Sequence, residues 1–304
     1  MQGPTPRDGT VMQFGPDNDW MCRAPLILTV YLPSSPTKDQ ALNAWRAYAS
    51  VCPRDRMRLI SDRRMPDFDE LPIPPHESDI EPYMREMDRR LDQGVIVWDG
   101  GETSFWSFNI GGVFEPDQPP QASFCQIIFP DDAPPSLAID AARGLADRLP
   151  LLSGHAGYTT LFKLLVKNQA FDQIYAWAKR YWGLEVEDLN RTLPVTLDGV
   201  KGANWLTLVG NDFWLRLQQA GGGAEVQVPS SVAMEVRAHA RLLVAGDRPV
   251  FADRNRGEFP DAYAAVERAI QPIKVVNHPE FDGRFREEHA TGAWLHRLTE
   301  PTGW

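Results

Sequence analysis

Apolar positions along the chain follow two rhythms, one continuous or of period two and one of helical spacing, and their succession lays out the elements. Pro25–Leu32 (PLILTVYL) is an unbroken apolar run rich in strand-favouring residues and predicts a buried strand. Pro33-Ser34-Ser35-Pro36 makes a turn. Thr37 then stands where a helix cap is needed, because Ala41, Leu42, Trp45, Tyr48 and Ala49 share one helical face and Pro53 lies beyond its end. Met57–Ile60 predicts a short strand. Met65–Pro75 (MPDFDELPIPP) holds four prolines, which remove backbone donors and fix φ, so it predicts an irregular exposed arm. Ser78 is expected to cap a charged helix from about Asp79 to Gln93, with Ile80, Tyr83, Met84, Met87 and Leu91 facing inward and Gly94 ending it.

Strands are predicted at Val95–Trp98, Ser104–Gly111 and Ala122–Phe129, the second with imperfect alternation, as befits a strand covered on both faces. A helix follows over Pro134–Arg148, then a strand at Tyr158–Leu165 and an amphipathic helix at Ala170–Trp182. Trp205–Leu217 joins an apolar run to a helix that begins at Asn211. Short strands are expected at Ala224–Val228, Arg241–Ala245 and Ile273–Val276, with a helix over Tyr263–Ile270 and a docking segment at Trp294–Leu298. Strands and helices mix without strict alternation, which points to an α+β fold with a mixed, largely antiparallel sheet flanked by helices. Residues 1–24 are expected as an N-terminal extension and 25–304 as a single domain.

Charge changes the picture next. The chain has 304 residues and a net charge of −10. Residues 62–117 hold fourteen acidic against five basic residues, so one fifth of the chain carries nearly all the imbalance. Phosphate binding needs clustered Lys and Arg, so direct nucleic-acid binding is not expected, whereas a basic partner would suit such a surface. Within this stretch Asp67, Asp69, Glu70, Glu77 and Asp79 are the candidate partner-binding residues; a solvated surface is the plain alternative. The three cysteines, Cys22, Cys52 and Cys125, make neither a disulfide framework nor a zinc motif. The polar N-terminus lacks a signal-peptide pattern and no run reaches membrane-spanning length, so a cytoplasmic protein with no membrane partner is expected.

Catalytic patterns are sparse. The six histidines include no pair at the spacing of a helical metal site. Ser153-Gly154-His155 could be drawn as nucleophile and base of a hydrolase with a dispersed site, but no G-x-S-x-G elbow surrounds the serine. His155 is better read as a structural histidine. Gly221-Gly222-Gly223 follows a helix instead of opening one, which suits a C-cap and not a phosphate cradle. Glu185, Glu187 and Asp188 read as solvated surface. Neither a catalytic residue nor a cofactor or metal is expected.

Four stretches carry a resemblance: SFWSFNIGG at Ser104–Gly112, LPLLSGHAGY at Leu149–Tyr158, LDGVKGANWLTLVG at Leu197–Gly210, and the block Gly246–Ile270. In order and spacing, from about Pro25 to Leu298, the chain resembles the type VI secretion immunity family. The resemblance implies a non-enzymatic protein that binds and neutralises a cognate secreted toxin, a DNase of restriction-endonuclease-like fold; the physical mechanism expected is that an acidic surface covers the toxin's DNA-binding or active site. Immunity to another cytoplasmic toxin, such as a deaminase or NAD-degrading enzyme, and an adaptor role in the secretion apparatus are the alternatives.

Overall fold

The computed structural model describes residues 11–14, 19–62, 67–85, 87, 94–112, 120–223 and 226–304. Strands β1 (Val11–Phe14), β2 (Asp19–Arg23) and β3 (Leu26–Leu32) lead into helix α1 (Lys38–Ala49). β4 (Leu59–Asp62) and β5 (Asp69–Glu70) precede α2 (Glu77–Met84); β6 (Gly94–Trp98), β7 (Ser107–Gly112) and β8 (Ser123–Ile128) precede α3 (Pro135–Arg148). Then come β9 (Ser153–Tyr158), β10 (Leu161–Phe162), α4 (Lys167–Arg180) and α5 (Leu189–Thr192). The last third holds β11 (Leu206–Gly210), α6 (Asn211–Ala220), β12 (Ala233–Val236) and β13 (Ala240–Val244). It ends with α7 (Asp261–Ile270), α8 (Arg284–Glu287) and α9 (Thr291–Leu295).

Ten of these strands form one sheet in the order β12-β13-β11-β9-β3-β8-β7-β6-β4-β5, with every neighbouring pair antiparallel. The protein is α+β, as the sequence pattern predicts. β1 and β10 pair with β2 in a smaller sheet, so part of the expected N-terminal extension is paired into the fold, and Cys22 and Arg23 are buried.

Alternation along the central strands sorts the side chains. On β3, Leu26, Leu28, Val30 and Leu32 enter the main hydrophobic core with Trp45 and Tyr48 of α1 and Ala141 and Leu145 of α3. Ile27, Thr29 and Tyr31 belong to the opposite face, where Thr29 receives a hydrogen bond from Gln126 of β8 (3.2 Å). That second face is buried too, which explains the near-continuous apolar run at this strand. α1 begins as expected: Thr37 and Gln40 form a reciprocal capping box.

Several predicted boundaries move. His76, and not Ser78, caps α2, and the helix ends at Met84; residues 86 and 88–93 of the predicted helix lie outside the described residues. Of the strand expected at Tyr158–Leu165, Leu161–Phe162 forms the short β10 of the smaller sheet, while the strand between β3 and β11 lies earlier, at Ser153–Tyr158. The expected strand Ala224–Val228 is absent where it is described, at 226–228, and β12 at Ala233–Val236 occupies the sheet edge instead. Ile273–Val276 makes a single parallel bridge, Val200 with Lys274, after a 3-10 turn. There a Cβ on Gly199 would meet the Ile273 carbonyl oxygen at 2.5 Å, so the two segments touch by backbone at one point.

Candidate functional site

His155 and Thr207 pair across β9 and β11, and Thr29 of β3 pairs with His155 from the other side. Against this patch on the second sheet face lies the segment Leu184–Asp188. Its position is set by Glu185, whose N–H donates to the Tyr158 carbonyl, and by Glu187, whose N–H donates to the Thr160 hydroxyl (3.0 Å). Glu185, Glu187 and Asp188 are therefore buried, at 4%, 4% and 3% exposure, which corrects their reading as solvated surface.

Lys201 supplies the counter-charge. Its Nζ lies 2.9 Å from Glu185 Oε1 and 3.2 Å from Glu187 Oε2, and donates to the Val186 carbonyl at 2.6 Å. The Tyr31 hydroxyl donates to Glu187 Oε2 at 2.6 Å, and His155 Nε2 stands 3.5 Å from that oxygen without a hydrogen bond. Arg297 closes the group: it approaches Glu185 Oε2 at 3.7 Å, caps the carbonyls of Trp182 and Leu184, and lies over the Trp294 ring. A second buried pair, Glu267 with Lys274, adjoins it; the Ala203 N–H donates to Glu267 at 2.6 Å, and Lys274 donates to the Leu295 carbonyl at 2.7 Å.

Burial alone would push the Glu187 carboxyl up, but Lys201, His155 and the Tyr31 hydroxyl together hold it below the usual range. Burial likewise opposes the Lys201 ammonium, yet the two carboxylates raise it above its ordinary value. The His155 imidazole is pushed down by burial, against the pull of Glu185 and Glu187, so it is neutral at pH 7. Two carboxylates, an ammonium and a guanidinium thus balance around a neutral imidazole.

His155, Glu185 and Glu187 bring ligand atoms within 4.8 Å of one another, the one such grouping among the described residues. Lys201 already sits at hydrogen-bond distance from both carboxylates, so a metal ion would have to displace it; the donor set does not fit a resident cation. The hydrolase drawing fares no better. Ser153 and His155 share a face of β9, but Ser153 Oγ has no hydrogen-bond partner, and neither described cavity is lined by these two side chains. The arrangement works as an internal brace that ties residues 185–201 and the C-terminal segment to the sheet.

The surface residues singled out from the sequence lie elsewhere. Asp69 and Glu70 form β5 at the sheet edge, paired with Ile60 and Leu59, and Asp67 precedes them; all three are exposed and have no ion pair among the described residues. The Tyr83 hydroxyl donates to Asp69. Phe68, 37% exposed, rests on Trp98 (ring centroids 5.5 Å apart), and Ile73, 58% exposed, stands nearby in sequence. Glu77 and Asp79 are engaged within the fold. Glu77 receives two hydrogen bonds from Arg46, at 2.9 and 2.5 Å, and Asp79 caps the His76 N–H at 2.8 Å.

Fold and site together define an α+β protein whose charged centre is structural and whose acidic edge faces solvent. The chain belongs to the family described as Type VI immunity for VRR-NUC, whose model matches residues 102–298. The matched span includes all four resembling stretches in full, and with them the His155, Glu185, Glu187, Lys201 and Arg297 brace. A solved Pseudomonas aeruginosa T6SS protein shares the fold: 18% identity, TM-score 0.72, with 96% of this chain and 90% of that chain covered. No curated protein matches the chain in sequence. Among the described residues, no helix is long and apolar enough to cross a membrane.

Proposed function

We propose that the protein captures a VRR-NUC effector nuclease in the cytoplasm and blocks it by covering its DNA-binding surface, acting as a binder and not as an enzyme. The family description supports a nuclease partner. The observation that carries the mechanism is the sheet edge, where Asp67, Asp69 and Glu70 stand exposed around the exposed ring of Phe68. A nuclease must offer positive charge to DNA phosphates, and a carboxylate edge competes for that charge while releasing counterions. Phe68 and Ile73 supply apolar contact whose desolvation slows dissociation. Glu77 and Asp79, occupied by Arg46 and the helix cap, contribute mainly by their field.

The test pairs purified protein with the VRR-NUC effector in a DNA-cleavage assay and a binding measurement. Stoichiometric binding should abolish cleavage. Charge reversal at Asp67, Asp69 and Glu70 together is expected to slow association about ten- to hundredfold at low salt and to weaken or invert its salt dependence. Phe68→Ala should instead quicken dissociation with little change in association. Unaltered association kinetics in the triple variant would remove this edge from the interface. A partner that binds but cuts no DNA would move the toxin to another class.

A further inference from the structure

Arg23, the last residue of β2, is 2% exposed, yet neither of its Nη atoms has a hydrogen-bond partner. Its guanidinium lies over the Phe105 ring, 4.9 Å from the centroid. The residue lines a cavity of about 80 Å³ together with Pro25, Pro130, Asp131, Tyr158 and Phe251. A guanidinium cannot shed its proton in a protein, and a buried one without an acceptor leaves its desolvation uncompensated. Burial does pull its pKa below the ordinary value, with the field of Asp131 opposing that only in part.

A second source of positive potential meets the same space. α3 starts at Pro135 on the cavity wall, with no side-chain cap and no acidic residue in its first turn. The positive end of a fourteen-residue helix dipole therefore adds to the Arg23 charge. Asp131 is exposed and does not reach the guanidinium, so it leaves both Nη atoms open.

We infer that this cavity binds a small monocarboxylate through Arg23. The planar guanidinium fork matches a carboxylate in a paired geometry. The volume suits an ion of about three or four heavy atoms. The proline walls and the stacked Tyr158 and Phe251 rings, 4.1 Å apart, suit an apolar stub behind the carboxylate. Asp131 on the wall disfavours a dianion. Such a carboxylate could be a free acid or the side chain of an Asp or Glu on a partner protein. The inference stands independently of the nuclease reading.

The experiment is thermal unfolding of the full chain in acetate, against benzenesulfonate at matched ionic strength as an anion too bulky to enter. Raising acetate from zero to about ten times its Kd should lift the midpoint by about 2–4 °C, and Arg23→Met should abolish the rise. Asp131→Asn, at an exposed position, should lower the half-saturating acetate concentration several-fold. Toxin affinity then separates the sources. Arg23→Met leaves it unchanged if the ligand is a free acid, and weakens it if the carboxylate is the partner's, in which case acetate also competes. Equal shifts with acetate and benzenesulfonate would overturn the inference. So would an Arg23→Met protein more stable than wild type alongside a wild type that ignores acetate. If Arg23→Met does not fold, Asp131→Asn decides alone, and an unchanged half-saturation sinks the idea.

Discussion

Lys201→Met is expected to lower folding stability by about 3–5 kcal/mol at neutral pH, the usual cost of removing one partner from a buried ion pair. Methionine keeps the length of the side chain and most of its packing, so the loss isolates the charge. Without the ammonium, the Glu187 carboxylate retains the Tyr31 hydroxyl as a donor but has no cation in contact, while Glu185 keeps Arg297 at 3.7 Å. Urea unfolding at constant m-value measures the change. Adding Glu187→Gln to the variant should recover a substantial part of it, because the stranded charge is then gone.

The pH dependence has a definite sign for each group. The folded pKa of Glu187 is depressed, so its contribution is present above the unfolded value near ~4.3 and is lost as pH falls through the folded value. Lys201 is raised, so its contribution is present below ~10.4 and is lost as pH rises through its folded value. His155 is lowered, so the unfolded chain takes up a proton first, and stability begins to fall below about pH 6.5. In Lys201→Met, protonating Glu187 relieves the buried charge, so the deficit against wild type should narrow as pH falls from neutral towards the ordinary carboxylate range near ~4.3. A deficit that stays constant over that range would show that Lys201 acts by packing alone.

Gly157→Ala carries the second large effect, about 2–4 kcal/mol. A Cβ at this position would lie 2.0 Å from Asn204 Oδ1 and 2.7 Å from its Cγ. Asn204 has little room to withdraw. It is 1% exposed, its Oδ1 accepts from the Trp205 N–H at 2.7 Å, and its own N–H donates to the Thr207 hydroxyl at 3.1 Å. Those bonds form the turn that enters β11, so the added methyl pushes against strand entry. Asn204→Ala removes the colliding atoms, and the double variant should therefore be more stable than the two single losses predict. Strictly additive losses across the four proteins would refute a direct clash.

The two variants probe different contacts, Lys201 with Glu185 and Glu187 and Gly157 with Asn204, but Gly157 and His155 come from one resembling stretch and Lys201 and Asn204 from another. A structural constraint runs through these motifs: they make the place where β9, β11 and the buried charges meet. The linear reading takes His155 as structural and leaves Lys201 and Asn204 without an individual role. Their geometry turns them into packing and charge balance.

What the chain's own order determined is local. The apolar run at Pro25–Leu32, the capped face of Ala41–Ala49, and the helices near Pro135–Arg148, Lys167–Arg180 and Asp261–Ile270 were legible, because periodicity and caps act within a few residues. The α+β class and the surplus of acid in residues 62–117 were legible for the same reason. Tertiary structure decided the rest. SGHAGY has too few large apolar side chains to announce a strand; it becomes β9 because β3 and β11 pair with it from both sides and its glycines permit their approach. Glu185 and Glu187 have the look of surface carboxylates until Tyr31, 156 residues earlier, and Lys201 arrive beside them. Arg46 and His76 likewise settle which acids of the acidic stretch are already occupied and leave Asp67, Asp69 and Glu70 facing solvent. Local preferences are set by each residue and its near neighbours, but burial and charge pairing depend on groups that only folding brings together.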